Sequence, residues 1–283
     1  MILFLSDGRL GNQLFQFAFL NTIAKKDEKI IMMNIEQFSD IFDIQNPNFH
    51  HLRLGKYTLL FVKKILKPFF LILFVKFKIF SYIKQDRDKH FSLSTYTKIK
   101  GLLPITLVET NFFQAEKFFQ LSKIDFNIKQ KYVEDAKKFL DQVPLNYDKV
   151  FVHVRRGDYI FESYLGKTGI DLPKSYFDAA ITIMTKNLKN PFFIFLSDDP
   201  AFVECCFKEL ENKLIPSNTM ATDLAIMTLC NYGIVSNSSF SWWGAYLMKN
   251  KKKVIFPKYW YGWKSKVESH IDIQPHFADV IEV

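Results

Sequence analysis

The chain has 283 residues, 48% of them hydrophobic, so it can fill full cores and favours about two domains, or one large α/β unit. An aromatic share of 17%, with 31 Phe, points to thick cores, a greasy surface patch, or both. The net charge of +9 and pI near 9.2 call for anionic company, and phosphate, acidic lipid and nucleic acid all qualify.

In chain order, ILFL (residues 2–5) reads as a strand and SDGRLGN as a turn. QLFQFAFLNTIAKK then reads as a helix, with Leu14, Phe17, Ala18 and Asn21 along one stripe. The start lacks the basic region of a signal peptide, so secretion is not expected. Gly8 and Gly11 form neither a dinucleotide fingerprint nor a P-loop. Residues 27–105 yield no clear elements. Within them, LLFVKKILKPFFLILFVKFKIF (59–80) is interrupted by Lys63, Lys64, Lys67, Lys76 and Lys78, and its longest uncharged run is far short of a bilayer span. It reads either as a buried helix pair whose lysines snorkel out, or as a basic helical segment, broken at Pro68, lying on an anionic membrane surface. TLVETNFFQAEKFF suggests a strand, a loop and a short helix.

The second half is more regular. Val150, Val152 and Val154 alternate with Phe151 and His153 in KVFVHV, the pattern of a strand buried on both faces. A loop to about Asp171 follows, then a helix from PKSYFDAAITIMTKNL, a strand FFIFL, the acidic turn SDDP and another helix. TDLAIMTLC is a helix with Thr222 or Asp223 as N-cap, GIVSN a strand, SSFSWWGAYLMKN a helix and KKKVIFP a strand. This alternation predicts a parallel, doubly wound sheet and a boundary near 140–150, hence domains 1–145 and 146–283.

Three strand ends, HVRRGD, FLSDD and VSNSSFS, are expected to share the carboxyl edge of that sheet, where ligands of α/β proteins bind. Arg155 or Arg156 suits a phosphate through two parallel N–H bonds. Ser238 and Ser239 enter a helix whose N–H groups attract an anion, although plain N-capping explains them too. Asp198 or Asp199 can accept from a guanine edge or ribose hydroxyls. Asp86 and Asp88 have the DxD spacing of metal-binding transferases, but sit in a charge run with no strand expected before them. Neither the histidines nor Cys205, Cys206 and Cys230 show metal spacing, and the cysteines fit a reducing cytosol. No nucleic-acid reader is evident.

GRLGNQLFQFAF, NFFQAEKFF, VHVRRGDY, LPKSYFDAAI, FLSDDP and DLAIMTLCNYGIVSNSSFSWWGAYL together resemble the bacterial α-1,2-fucosyltransferases of glycosyltransferase family eleven, across nearly the full chain. The resemblance implies an α/β GT-B architecture, two Rossmann-like domains with parallel sheets facing across a cleft. The N-terminal domain would serve the acceptor and the C-terminal domain the GDP-sugar. It further implies inverting transfer of L-fucose from GDP-fucose to a galactose-type hydroxyl of a glycan such as a lipid-linked O-antigen repeat unit. No metal or other cofactor is implied, and the location is cytoplasmic, with peripheral contact at the inner membrane face as the companion expectation. The implied nucleotide-sugar set is Gly11, Asn12, Gln13, His153, Arg155, Arg156, Asp198, Asp199, Asp223, Asn237, Ser238, Ser239 and Phe240. Arg155 would meet the β-phosphate, while Asp158 and Glu162 are the candidates near the acceptor proton, Asp158 reading first as an arginine brace.

Overall fold

The computed structural model describes residues 1–72, 76–87, 94–124 and 126–283, and the chain divides into the units Met1–Asn127 and Ile128–Val283. In the first unit, β1 (Ile2–Leu5) leads into α1 (Leu10–Ile23), followed by β2 (Ile30–Met33), α2 (Glu36–Ile41), β3 (Phe42–Ile44) and β4 (Phe49–Leu52). Next come α3 (Lys56–Phe61), a π-helical stretch Val62–Leu66 and α4 (Lys67–Phe70), then β5 (Phe80–Arg87), β6 (Ser94–Ile99) and β7 (Leu103–Val108). Its main sheet runs β4-β2-β1-β7-β5-β6, parallel except for the antiparallel β5–β6 pair. These strands occupy much of the stretch 27–105, where no clear elements were expected. Asp86, one half of the DxD spacing, lies on β5 and accepts from Thr97; Asp88 lies outside the described residues.

Helix α1 is apolar on nearly every side, and Leu10, Leu14, Phe15, Phe17, Ala18, Phe19 and Leu20 are fully buried. Phe17 sits against Phe38, Phe49 and Phe126 with ring centroids 4.7, 5.0 and 5.6 Å away, and Phe19 stacks on Phe113 at 3.8 Å. Burying each such ring stabilises by roughly 1.5–3 kcal/mol. Part of the Phe-rich composition thus goes into this core.

The second unit opens with α5 (Gln130–Leu140), after β8 (Phe126–Ile128), and continues with β9 (Asp148–Val154), β10 (Ser163–Tyr164), β11 (Lys167–Thr168), α6 (Lys174–Asn187) and β12 (Pro191–Ser197). It ends with α7 (Pro200–Cys206), β13 (Lys213–Leu214), α8 (Met220–Leu229), β14 (Tyr232–Ile234), α9 (Ser239–Tyr246), β15 (Lys253–Pro257) and β16 (Ala278–Ile281). The division falls ahead of the expected boundary at 145, because α5 packs along α8 and so belongs with the second unit.

All strands of its main sheet are parallel, in the order β13-β12-β9-β14-β15-β16. Counted by appearance this is 3-2-1-4-5-6, so the order reverses between β9 and β14, the crevice where open α/β sheets bind ligands. On one face of β9, Val150, Val152 and Val154 share a core with Tyr176, Phe177, Ala180 and Met184 of α6. On the other, Phe151 lies so close to Gly233 of β14 that a Cβ there would stand 2.3 Å from its ring. A glycine at that point lets the two central strands pair.

Candidate active site

The three strand ends expected to converge are neighbours: β12, β9 and β14 lie side by side. His153, the penultimate residue of β9, is buried, and its Nδ1 is 2.7 Å from Ser236 Oγ in the loop after β14. Burial, with the Arg155 charge added, pushes its pKa down to about 3, so the imidazole stays neutral.

Just beyond the strand the two arginines part company. Arg155 pairs through Nη1 with Asp198 Oδ2 at 2.5 Å, pairs through Nη2 with Asp158, and lies over the ring of Tyr159, 5.1 Å from its centroid. Arg156 stacks 3.7 Å over Phe202, donates from Nε to Asp199 at 3.1 Å and from Nη1 to Asp171 at 2.9 Å, and its backbone N–H donates to Asp198 at 2.8 Å. The Arg156 fork is thus committed to protein carboxylates, and it ties the end of β9 to the start of α7. Asp199 also caps α7, accepting from Phe202 N at 3.1 Å. Two guanidinium groups are shared among four carboxylates, Asp158, Asp171, Asp198 and Asp199, so the cluster holds two more acids than bases. An anion brought to Arg155 would compete with these acids, and of the two that pair with it Asp158, on a short 3-10 turn and 42% exposed, lies closer to solvent than Asp198. Asp198 is held by the Arg156 backbone.

Gly157 is required here. Its φ is +20°, and a Cβ would stand 2.4 Å from Asp198 Oδ2. The Tyr159 hydroxyl lies 3.1 Å from that of Tyr261 and 3.4 Å from the Asn237 carbonyl, joining the post-β9 turn to the post-β14 loop. Glu162, at the mouth of the β10–β11 hairpin, is exposed.

The loop after β14 delivers Asn237, Ser238, Ser239 and Phe240. Asn237 is fully buried; its Nδ2 donates to the Ile170 carbonyl at 2.6 Å while its Oδ1 has no partner. Ser238 caps α9, accepting from Phe240 N at 3.3 Å, and the Phe240 ring lies 5.5 Å from His153. Helix α8 starts at the same sheet edge. Its N-cap is Thr219, which accepts from Thr222 N at 3.2 Å, so the cap lies one turn before the expected Thr222 or Asp223. Asp223 is in the first turn instead, its Oδ1 buried without a partner. Burial raises its pKa to about 7 against the opposing hydrogen bond of Asn218.

In the first unit, the loop after β1 is secured by amides. Gly8, at φ +84°, makes room for Asn12, whose side chain would lie 2.4 Å from a Cβ there. Asn12 Oδ1 accepts from Gln114 at 2.6 Å, Gln13 bridges the Gly8 carbonyl and Phe38 N, and Gln16 holds Asp7, Asn111 and Ser6. Gly11 is buried in α1. Asn12 and Gln13, expected in the nucleotide-sugar set, thus hold this loop in shape.

Sequence reasoning missed Asp171, Tyr159, Tyr261, Ser236, Gln16 and Gln114 as members of these networks. Most stand within the quoted motifs, but a motif does not reveal which polar side chain reaches back to which strand end. Among the described residues, no three His, Cys, Asp or Glu side chains group as metal ligands, and no helix is long and apolar enough to cross a membrane.

The model of Glycosyl transferase family 11 matches residues 1–273. The chain is 24% identical over 296 residues to the O-antigen biosynthesis glycosyltransferase WbnK of Escherichia coli, covering 94% of this chain and 96% of that one. It is 30% identical over 267 residues to the alpha-1,2-colitosyltransferase of Escherichia coli, covering 85% of each. A galactoside 2-alpha-L-fucosyltransferase, SEC1 of Bos taurus, is 23% identical over 85% of this chain and 62% of its own length. Among solved structures, a glycosyl transferase family 9 protein from Veillonella parvula aligns with a TM-score of 0.53 at 13% identity, over 100% of this chain and 86% of that one. The α-1,6-fucosyltransferase NodZ aligns at 0.52 with 7% identity, over 87% and 91%. The fold is GT-B-like.

Proposed function

Because this chain belongs to glycosyl transferase family 11 and is a glycosyltransferase, we propose that it transfers L-fucose from GDP-fucose to a galactose-type hydroxyl in α-1,2 linkage, with inversion and without a metal. The observation that carries this reading is Arg155 at the end of the central strand β9, beside the start of α9, at the point where the strand order reverses. As the sugar departs, negative charge grows on the leaving diphosphate. A guanidinium held in place by Asp198 meets that charge through the Nη2 end that it otherwise shares with Asp158. The N-terminus of α9, at Ser238, Ser239 and Phe240, adds its dipole.

The remaining roles follow from the surroundings. Neutral His153 and the open acceptor of Asn237 face the nucleoside, and Asp223, once ionised, accepts from its N–H donors. Asp199 and Arg156 keep the strand ends in register, while Gly11, Asn12 and Gln13 support the loop on the acceptor side. Asp158 orients Arg155, and Glu162, exposed four residues on, takes the acceptor proton. Relatives named for O-antigen synthesis and for galactosides support a glycan acceptor such as an O-antigen repeat unit.

A second donor has its own support, because the relative at 30% identity is named a colitosyltransferase. Colitose is fucose without the 3-hydroxyl, and a site that hydrogen-bonds that hydroxyl discriminates strongly against its loss. The deciding experiment compares kcat/KM for GDP-fucose, GDP-colitose and other nucleotide sugars, with the product linkage determined by NMR. Preference for a UDP-sugar, or a linkage other than α-1,2, would remove the proposal. In the same assay Glu162→Gln is expected to slow transfer roughly a hundredfold with GDP affinity unchanged by calorimetry. Unaltered transfer would remove Glu162 as the base.

A further inference from the structure

Sequence alone left residues 59–80 divided between a buried helix pair and a membrane-facing segment. In the structure, helix runs through α3, the π-helical stretch and α4, and Pro68 does not break it. The π register precedes the proline, with Lys67 N–H donating to the Val62 carbonyl five residues back, which accommodates the donor that Pro68 lacks. Residues 73–75 lie outside the described residues.

This helix is apolar on two opposite faces. Leu59, Val62, Leu66 and Phe70 are half-buried against the first unit, and Phe70 stacks on Phe80. Lys63 and Lys67 serve the same face: Lys63 pairs with Asp7 at 3.4 Å and Lys67 donates to Thr110 at 2.8 Å. The opposite face carries Tyr57, Phe61, Ile65, Phe69 and Ile72 at spacings of four, four, four and three, so they form one stripe. They are 85%, 48%, 55%, 53% and 66% exposed, and Phe77 beyond them 66%. Monomeric soluble proteins rarely leave so many large apolar side chains contiguous in water. Lys56, Lys64, Lys76 and Lys78 are exposed beside the stripe, and from Leu54 to Gln85 the sequence holds no Asp or Glu.

We propose that this outward stripe is a docking surface for an anionic lipid bilayer, with the rings and Ile side chains at the acyl boundary and Lys56, Lys64, Lys76 and Lys78 among the headgroups. Charge selects this occupant: four exposed lysines in a stretch of sequence without acids repel a second copy of themselves and suit a surface of phosphate headgroups. The inference is independent of the donor assigned above, because its readout is lipid binding.

The test uses the full chain with vesicles of phosphatidylcholine alone and of phosphatidylcholine containing phosphatidylglycerol, scored by co-sedimentation. Wild type is expected on the phosphatidylglycerol vesicles and not on phosphatidylcholine alone. Replacing Lys64, Lys76 and Lys78 together by Gln is expected to lower the partition by roughly a hundredfold, given a contribution on the order of 1 kcal/mol per lysine. Replacing Phe61, Ile65 and Phe69 together by Ser is expected to release the protein. Thermal melting is the control for folding, and the exposed lysines keep the first variant free of core damage. Three outcomes overturn the proposal: wild type that ignores phosphatidylglycerol, a Lys variant that binds as wild type does, or a wild-type dimer in light scattering that the Phe61, Ile65 and Phe69 variant converts to monomer.

Discussion

Arg155 and Asp223 make opposite demands on a single side chain. Arg155 is useful for its two-pronged geometry as much as for its charge. Arg155→Lys is therefore expected to leave melting unchanged while kcat/KM falls about thirtyfold, roughly 2 kcal/mol, in steady-state kinetics. Asp223 is costly to the fold. Its folded pKa, near 7, stands above its usual 3.8, so the native state holds the extra proton between those values and stability falls as pH rises through that window. His153 acts in reverse: its folded pKa, about 3, lies below the usual 6.5, so stability is present above 6.5 and lost as pH falls. The two slopes oppose each other over nearly the same range. Asp223→Asn is expected to raise stability at about pH 8 by up to roughly 4 kcal/mol, and to leave a stability that climbs with pH from about 3 to 6.5, both measured by melting. GDP affinity should fall in that variant if the ionised carboxylate is the nucleoside acceptor, while in wild type affinity should rise as pH passes about 7.

At the level of elements, the site depends on the turn after β9 being tight enough for one turn to serve Arg155, Arg156 and Asp198. Gly157→Ala is expected to displace the Asp198 carboxylate and to cost about 1–3 kcal/mol in melting, with weaker GDP binding by calorimetry. Gly166→Ala, at φ +74° but with nothing within 4 Å of its Cβ, separates backbone strain from site damage and should leave GDP binding intact. β9, α6, β12, β14 and α9 were legible in the sequence because β-branched and aromatic alternation, a proline near a helix start and a serine cap each leave a local signature. β2 (IIMM) and β4 (FHHL) carry no apolar–polar alternation to mark them. α3 and α4 hide theirs because both faces are apolar. The start of α8 was misread because Ser217, Asn218, Thr219, Thr222 and Asp223 are all cap-forming residues, and the local sequence does not rank them. For the site, motifs supplied the residue types at the three strand ends. The pairing of Arg156 with Asp171, and the acidic balance around both arginines, depend on contacts between loops far apart in sequence.

For the molecule as a whole, the positive charge is unevenly held. Of 38 Lys and Arg and 29 Asp and Glu, 18 and 11 fall in residues 1–127, leaving that unit at +7 and the second at +2. The basic excess that called for an anionic partner is thus concentrated in the unit that carries the exposed helix, while the arginines at the end of β9 are outnumbered by acids. Raising salt from about 0.05 to about 0.3 M is accordingly expected to release the protein from phosphatidylglycerol vesicles while GDP affinity shifts by no more than about threefold, measured by sedimentation and calorimetry. The strand order also constrains how the chain is made. β9 is synthesised before the other strands of its sheet but lies at the centre, and its neighbour β14 follows roughly eighty residues later. At about 5–20 residues per second, a nascent chain spends several seconds with one edge of β9 unpaired and the apolar rows of Val150 and Phe151 uncovered. Until the segment from β14 to α9 leaves the ribosome, Arg155 has no adjacent α9, His153 no Ser236 and Val152 no Ile234 beside it, so this sheet edge and the core beneath it wait on the same stretch of chain. An incomplete chain released before that point would be an aggregation hazard rather than a slow enzyme.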